Sequence, residues 1–136
     1  MEPKVSYDQA KLEIDGWLDY KKVSDKKRDT YKDAIDTLID VMTNGVISID
    51  ENNKIIHTLI FPVKDSSGND ALTTLEYKPR ISVGELQTRM KIVKAGDSDG
   101  RIMAYVSALT GQSAGMLAKL DTEDNTICQS IAVFFL

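Results

Sequence analysis

Residues 78–136 constrain the fold most, because helix caps and helix stops follow one another there too closely for any long helix. Ser82 and Glu85 have the spacing of a capping box, in which each side chain accepts a hydrogen bond from the other residue's backbone amide. A helix is expected to begin at Ser82 and to end at Gly96. Its apolar face consists of Leu86, Met90 and Val93, and Ile81 packs on Leu86 at its entry.

Three further short helices are predicted behind this one, each with a polar cap and an apolar stripe at helical spacing. The caps are Ser98 or Asp99, Ser113, and Asp121. The stripes are Ile102, Tyr105, Val106 and Leu109 up to a stop at Gly111, then Met116, Leu117 and Leu120, and finally Ile127, Ile131 and Phe134. Glu123 and Asp124 occupy the first turn of the last helix, where negative charge suits the helix dipole. Helices this short are marginal in water, so the stripes must be buried against other parts of the chain or a partner.

Two longer helices are predicted at the start of the chain. The first is capped by Ser6 and ends near Tyr20, with Tyr7, Ala10, Ile14, Trp17 and Leu18 on one face. The second is capped by Ser24 or Asp25 and ends at Asn44 and Gly45. Its apolar stripe is Tyr31, Ala34, Ile35, Leu38, Val41 and Met42. Between the two helices, basic residues over 21–32 alternate with aspartates, which indicates a solvated surface.

The pattern changes from helical to alternating after Gly45. Residues 46–49 and 54–61 are rich in β-branched side chains and are separated by a polar turn at 50–53, which predicts a hairpin. Pro62 is expected to close the second strand, since it lacks an amide hydrogen. Residues 72–77 form a third strand, with Leu75 and Tyr77 on one face.

These elements predict an α+β fold with N-terminal helices, a small antiparallel β-meander and a C-terminal cluster of three to four short helices. The 136 residues are sufficient for a single domain with its own core, consisting of a helical N-terminal arm (1–45), the meander (46–78) and the helical cluster (79–136).

The residue inventory offers little chemistry. His57, the only histidine, lies within a predicted strand and is interpreted as a partly buried structural residue. Cys128, the only cysteine, lies beside apolar positions and is interpreted as a small buried side chain. One histidine and one cysteine cannot build a zinc site. The acidic loop that begins at Asp65 lacks the glycine that a calcium loop needs at its sixth place. The chain is therefore expected to be no enzyme, and no catalytic residue, metal or cofactor is assigned.

Charge and hydropathy narrow the classes of partner. Seventeen basic and 21 acidic residues give a net charge of −4, which disfavours nucleic acid as the main partner. No apolar run has the roughly 18 to 20 residues of a membrane-spanning helix, and residues 1–4 lack the pattern of a secretory signal. A cytoplasmic protein without nucleic-acid or membrane partners is expected.

Residues 55–136 contain a succession of short motifs. They are a strand with His57-Thr58-Leu59 closing at Pro62, a loop with Gly68, the strand 72–77, the helix start Pro79-Arg80-Ile81-Ser82-Val83-Gly84-Glu85-Leu86, the helix end Ala108-Leu109-Thr110-Gly111, a Leu117, Leu120, Asp121 and Asp124 step, and Phe134-Phe135-Leu136. This succession resembles the tail assembly chaperones of long-tailed bacteriophages. The two helices before Gly45 depart from the shorter members of that family.

The resemblance implies a non-enzymatic viral protein that acts in the cytoplasm of the bacterial host. Such a chaperone binds the long, helical tape-measure protein, keeps it in solution and helps tail-tube subunits to polymerise around it. It is not expected in the mature virion.

The apolar C-terminal residues are predicted to form the surface for this client or for self-association into a homo-oligomer. The partner-binding residues are Met116, Leu117, Leu120, Ile131, Phe134, Phe135 and Leu136. Two other functions stay open. One is a structural phage component, such as a tail completion or head-tail joining protein. The other is a small DNA-binding regulator, suggested by the order of helices and hairpin over residues 31–61.

Overall fold

The computed structural model describes residues 4–136. Within this range it contains seven α-helices and a three-stranded antiparallel sheet, which confirms the predicted α+β class. The helices are α1 (Tyr7–Tyr20), α2 (Asp25–Thr30), α3 (Lys32–Thr43), α4 (Val83–Met90), α5 (Ser98–Thr110), α6 (Ala114–Leu117) and α7 (Thr122–Ala132). The strands are β1 (Ile47–Ile49), β2 (Ile55–Lys64) and β3 (Asp70–Tyr77), and a 3-10 turn (Val133–Phe135) follows α7. Residues 1–3, on which the prediction of no secretory signal partly rests, lie outside the described range.

Most helix ends lie where the capping residues predict them. Ser6, Ser24, Ser82, Ser113 and Asp121 each cap a helix by accepting a backbone amide. At α4 both halves of the capping box are formed, with Glu85 N donating to Ser82 Oγ at 3.2 Å and Ser82 N donating to Glu85 Oε2 at 2.7 Å. Gly111 ends α5 with φ of +76°, a left-handed conformation that glycine adopts at little cost.

The prediction of one continuous helix from Ser24 to Asn44 is wrong, because the chain bends at Tyr31. Residues of α2 are all polar or charged and none of them is buried, so α2 has no apolar face to align with that of α3. The bend places the Tyr31 ring edge-on against Phe134, with 5.8 Å between ring centroids. This aromatic contact stabilises the bend at the point where a continuous helix was predicted.

The helix that begins at Ser82 is also shorter than predicted, since α4 ends at Met90 and not at Gly96. No residue of α4 is fully buried, so little packing energy supports a further turn. The next helix is capped by Asp97, not by Ser98 or Asp99, because Asp97 Oδ1 accepts the amide of Gly100 at 2.9 Å. Ile92 is left exposed in the connection between the two helices.

The sheet has the order β1-β2-β3 with antiparallel pairing throughout. Contrary to prediction, Pro62 does not close β2, which continues to Lys64. Between the pairs Thr58–Thr74 and Val63–Leu72, five steps along β2 correspond to only two along β3, so β2 bulges there. A proline is tolerated in a bulge because no ladder bond needs its missing amide.

Helix α7 lies at the centre of the core, where it packs against α3, α5 and β2. Helix α1 also packs against α3, and α5 packs against β3. Buried side chains from the N-terminal helices, the sheet and the C-terminal helices form one continuous cluster. The longest described helix has 14 residues, and none in this part of the chain is long and apolar enough to cross a membrane.

Candidate functional site

A line of polar side chains crosses the core between the sheet and α7. Nε2 of His57 on β2 lies 3.0 Å from Oδ1 of Asp124, and Nδ1 lies 3.0 Å from the hydroxyl of Tyr77 on β3. The same hydroxyl lies 3.0 Å from Sγ of Cys128, one turn beyond Asp124 on α7. Backbone amides of the β2 bulge complete the arrangement, with Ile60 N donating to Asp124 Oδ1 at 2.9 Å and Phe61 N to Oδ2 at 3.0 Å.

The environment fixes where the protons of this network lie. Burial lowers the pKa of His57, against the opposing effect of Asp124, so the ring is neutral near pH 7 and carries one N–H. The carboxylate of Asp124 can only accept, which places that hydrogen on Nε2 and leaves Nδ1 to accept from the Tyr77 hydroxyl. Burial also raises the pKa of the Cys128 thiol to about 11, so the thiol stays protonated near pH 7.

Solvent and substrates cannot reach this network in the described conformation. His57, Asp124 and Cys128 are completely buried, and Tyr77 is 1% exposed. Across residues 4–136 every buried side-chain nitrogen or oxygen has a hydrogen-bond partner. The arrangement therefore fastens α7 to the sheet, and it leaves no group free to attack or protonate a bound molecule. The prediction that His57 is partly buried understates its burial.

The structure separates the seven predicted partner-binding residues. Leu117, Ile131 and Phe134 are buried in the core, where Phe134 contacts Trp17 edge-on at 5.9 Å between ring centroids. Met116, Leu120 and Phe135 are half-buried against the same core, and Leu136 is 37% exposed. In this conformation Leu117, Ile131 and Phe134 cannot contact a client, because each is already covered by the chain's own side chains. A polar substitution of Leu117 would therefore disturb folding as well as any association.

An open groove lies between α4, the connection after it, and α5. It has a volume of about 390 Å³. Its apolar surface comes from Ile92, Val93, Met103, Ala104 and Ala114, with Arg89 and Asp97 among the polar residues at the same groove. Ile92 is 75% exposed and Val83, at the start of α4, is 71% exposed. The sequence predicted Val93 on the apolar face of the helix that begins at Ser82, but it did not predict the groove, because the groove depends on the early end of α4.

The acidic loop that begins at Asp65, and a second acidic loop at residues 96–100, have local structural roles. Asp65 Oδ1 accepts the amides of Ser67 and Asn69 in the turn between β2 and β3, and Asp97 caps α5. Among residues 4–136 no three His, Cys, Asp or Glu side chains are grouped so that they could hold a metal ion.

The chain was compared with models of protein families, with curated proteins and with solved structures, and none of the three comparisons found a match.

Proposed function

We propose that this protein is a non-enzymatic assembly chaperone of a long-tailed bacteriophage, which binds the tape-measure protein in the host cytoplasm. The observation that carries the proposal is the open apolar groove between α4 and α5. A client of the kind implied by the resemblance, a long apolar helix, needs a complementary apolar cleft while it waits for tail-tube subunits.

The lining of the groove suits helical side chains of differing size. Met103 is unbranched and polarisable, so it can adapt to different apolar partners. Ala104 on α5 and Ala114 on α6 are small, which lets a partner approach the backbone of these two helices closely. Ile92 projects beside them and gains burial only if something covers it.

The motif residues that carry the resemblance have definite tasks in the fold, which supports the view that the pattern reflects a shared architecture. Glu85 completes the capping box of α4, Gly111 ends α5, and Asp121 caps α7. Asp124 joins α7 to β2.

Little favours the DNA-binding alternative. The outer face of α3, which would have to approach the duplex in a winged-helix arrangement, exposes Asp33, Asp36 and Asp40. Three carboxylates on one face repel a phosphate backbone.

The test is co-expression with the tape-measure protein of the same phage, measuring how much of that protein stays in the soluble fraction and co-purifies. We expect Ile92→Asp to weaken association at least about tenfold, since a charge would replace an apolar anchor. The matched control is Leu12→Asp on α1, where an equally apolar side chain is 66% exposed outside the groove. Equal effects of both variants, or none, would contradict the assignment of the groove. Recovery of the protein from finished particles would favour the structural-component alternative.

A further inference from the structure

A second concave site lies between the end of α1, the segment before α4 and the 3-10 turn. It has a volume of about 280 Å³ and is lined by two cations, Lys21 and Arg80, and by Ile81, Phe134 and Phe135. None of these residues belongs to the groove between α4 and α5. The site therefore has to be explained separately from client binding.

Both cations lack an anionic partner. Lys21 Nζ lies 3.3 Å from the centroid of the Phe135 ring and 5.8 Å from that of Trp17. The Arg80 guanidinium lies 5.9 Å from the Tyr20 ring. Within residues 4–136 neither side chain makes an ion pair with a carboxylate. Arg28, by contrast, has an anionic partner, since it donates to Asp19 Oδ1 at 2.8 Å.

The surroundings increase the local positive charge. Lys27 donates to the carbonyl oxygen of Phe134 at 3.4 Å and to an oxygen of Leu136 at 2.6 Å, which holds its ammonium group near the site. Burial, together with the charges of Lys27 and Arg80, lowers the pKa of Lys21 to about 8. An interleaved pattern of basic residues and aspartates over 21–32 indicates solvated charges, but Lys21 is half-buried and forms no ion pair with those aspartates.

We propose that Lys21 and Arg80 form an oxyanion-binding site, which takes a carboxylate or phosphate group attached to a flat apolar body. Lysine and arginine both donate charge-assisted hydrogen bonds to such oxygens. The aliphatic and aromatic wall made by the partly buried Ile81 and Phe135 provides contact for the apolar body. A bound anion would also offset the repulsion between the two cations, neither of which forms an ion pair within the described residues.

The binding test uses phenyl phosphate, benzoate and inorganic phosphate as probes, with the ¹³Cε resonance of Lys21 followed over pH 6–11. We expect phenyl phosphate to raise the pKa of Lys21, because a nearby anion stabilises the ammonium form. Benzoate should act in the same direction and inorganic phosphate more weakly. An unchanged titration of Lys21 in all three would overturn the proposal. Equal binding of inorganic and phenyl phosphate would overturn the role of the apolar wall.

Variants locate the site. Lys21→Gln and Arg80→Gln should each weaken phenyl phosphate binding roughly tenfold. The control is Lys26→Gln, which removes the same charge from an exposed position on α2 and should leave binding unchanged. Arg80→Gln keeps the test decisive if Lys21→Gln unfolds, since the Arg80 side chain makes no hydrogen bond within the described residues. Loss of binding in Lys26→Gln as large as in Arg80→Gln would reduce the effect to general surface charge and reject the site.

Discussion

Nε2 of His57 lies 3.0 Å from Oδ1 of Asp124, although 67 residues separate the two along the chain. The same carboxylate accepts the backbone amides of Ile60 and Phe61, so one buried acidic side chain satisfies three donors of β2. This junction fixes the position of α7 against the bulged strand, and several measurable properties of the protein depend on it.

Replacing Asp124 by asparagine should destabilise the protein by about 2–4 kcal/mol, although the two side chains have nearly the same shape. An amide group has one acceptor oxygen, and its NH₂ group would face a donor of β2 that has no other partner. The measurement is the free energy of unfolding in urea, followed by circular dichroism.

Asp121→Asn is the matched control for that change. Asp121 caps the same helix by accepting the amide of Glu123 at 2.9 Å, and asparagine caps helices about as well as aspartate. A change of less than about 0.5 kcal/mol is expected. A similar loss of unfolding free energy in both variants would show that the hydrogen bonds of Asp124 to β2 stabilise the protein no more than an ordinary helix cap does.

Stability should fall in mild acid because of His57. Burial puts the folded-state pKa of His57 below its ordinary value of 6.5, so the unfolded chain takes up the proton first as the pH decreases. The contribution is fully present above pH 6.5 and is lost as the pH falls from 6.5 towards the folded-state pKa, with a slope of at most about 1.4 kcal/mol per pH unit. Urea unfolding between pH 5 and 8 measures it. His57→Gln, which does not titrate, should show a shallower slope, and identical slopes would contradict the assignment.

A second loss of stability is expected in alkali. The pKa of Cys128 is about 11 in the folded state and 9.0 ordinarily, and burial raises the pKa of Tyr77 as well. The unfolded chain therefore loses these protons first, and stability declines as the pH rises from about 9 towards 11. Urea midpoints at pH 8.5 and 10.5 should lie closer together in Cys128→Ala than in the unaltered chain. A larger separation in that variant would refute the role of the thiol.

Two glycines should respond to alanine with opposite signs. Gly111 has φ of +76°, where a Cβ atom is strained, so Gly111→Ala should cost about 1 kcal/mol. Gly16 lies on the exposed side of α1 with nothing within 4 Å of an added Cβ, so Gly16→Ala should stabilise the protein by about 0.5–1 kcal/mol. Thermal unfolding of the two variants measures both changes in stability. Changes of the same sign in both variants would contradict the prediction.

The features that sequence predicts well in this protein are local ones. Ser82 and Glu85 meet across one helical turn, and Gly111 needs only its own backbone conformation, so both follow from neighbouring residues. The bend at Tyr31 and the early end of α4 do not, because they depend on Phe134 and on how little of α4 is buried. The early end of α4 also determines where the apolar groove opens.

The buried network had a weak signal in the sequence. Asp124 precedes Ile127, Cys128 and Ile131 by three, four and seven residues, so it falls on the same buried stripe of α7. An acidic residue on a buried stripe requires donors, and His57 shares the inward face of β2 with Ile55 and Leu59. Periodicity could indicate that each needs a partner. It could not pair them across so many intervening residues.

The bulge of β2 has a consequence for synthesis on the ribosome. Ile60 and Phe61 emerge more than sixty residues ahead of the carboxylate that accepts their amides. Until α7 has been translated and released, those two amides must stay hydrated, so the nascent hairpin cannot reach its final geometry. Helix α7, which is translated after all three strands, is thus the element that fixes the final geometry of the sheet.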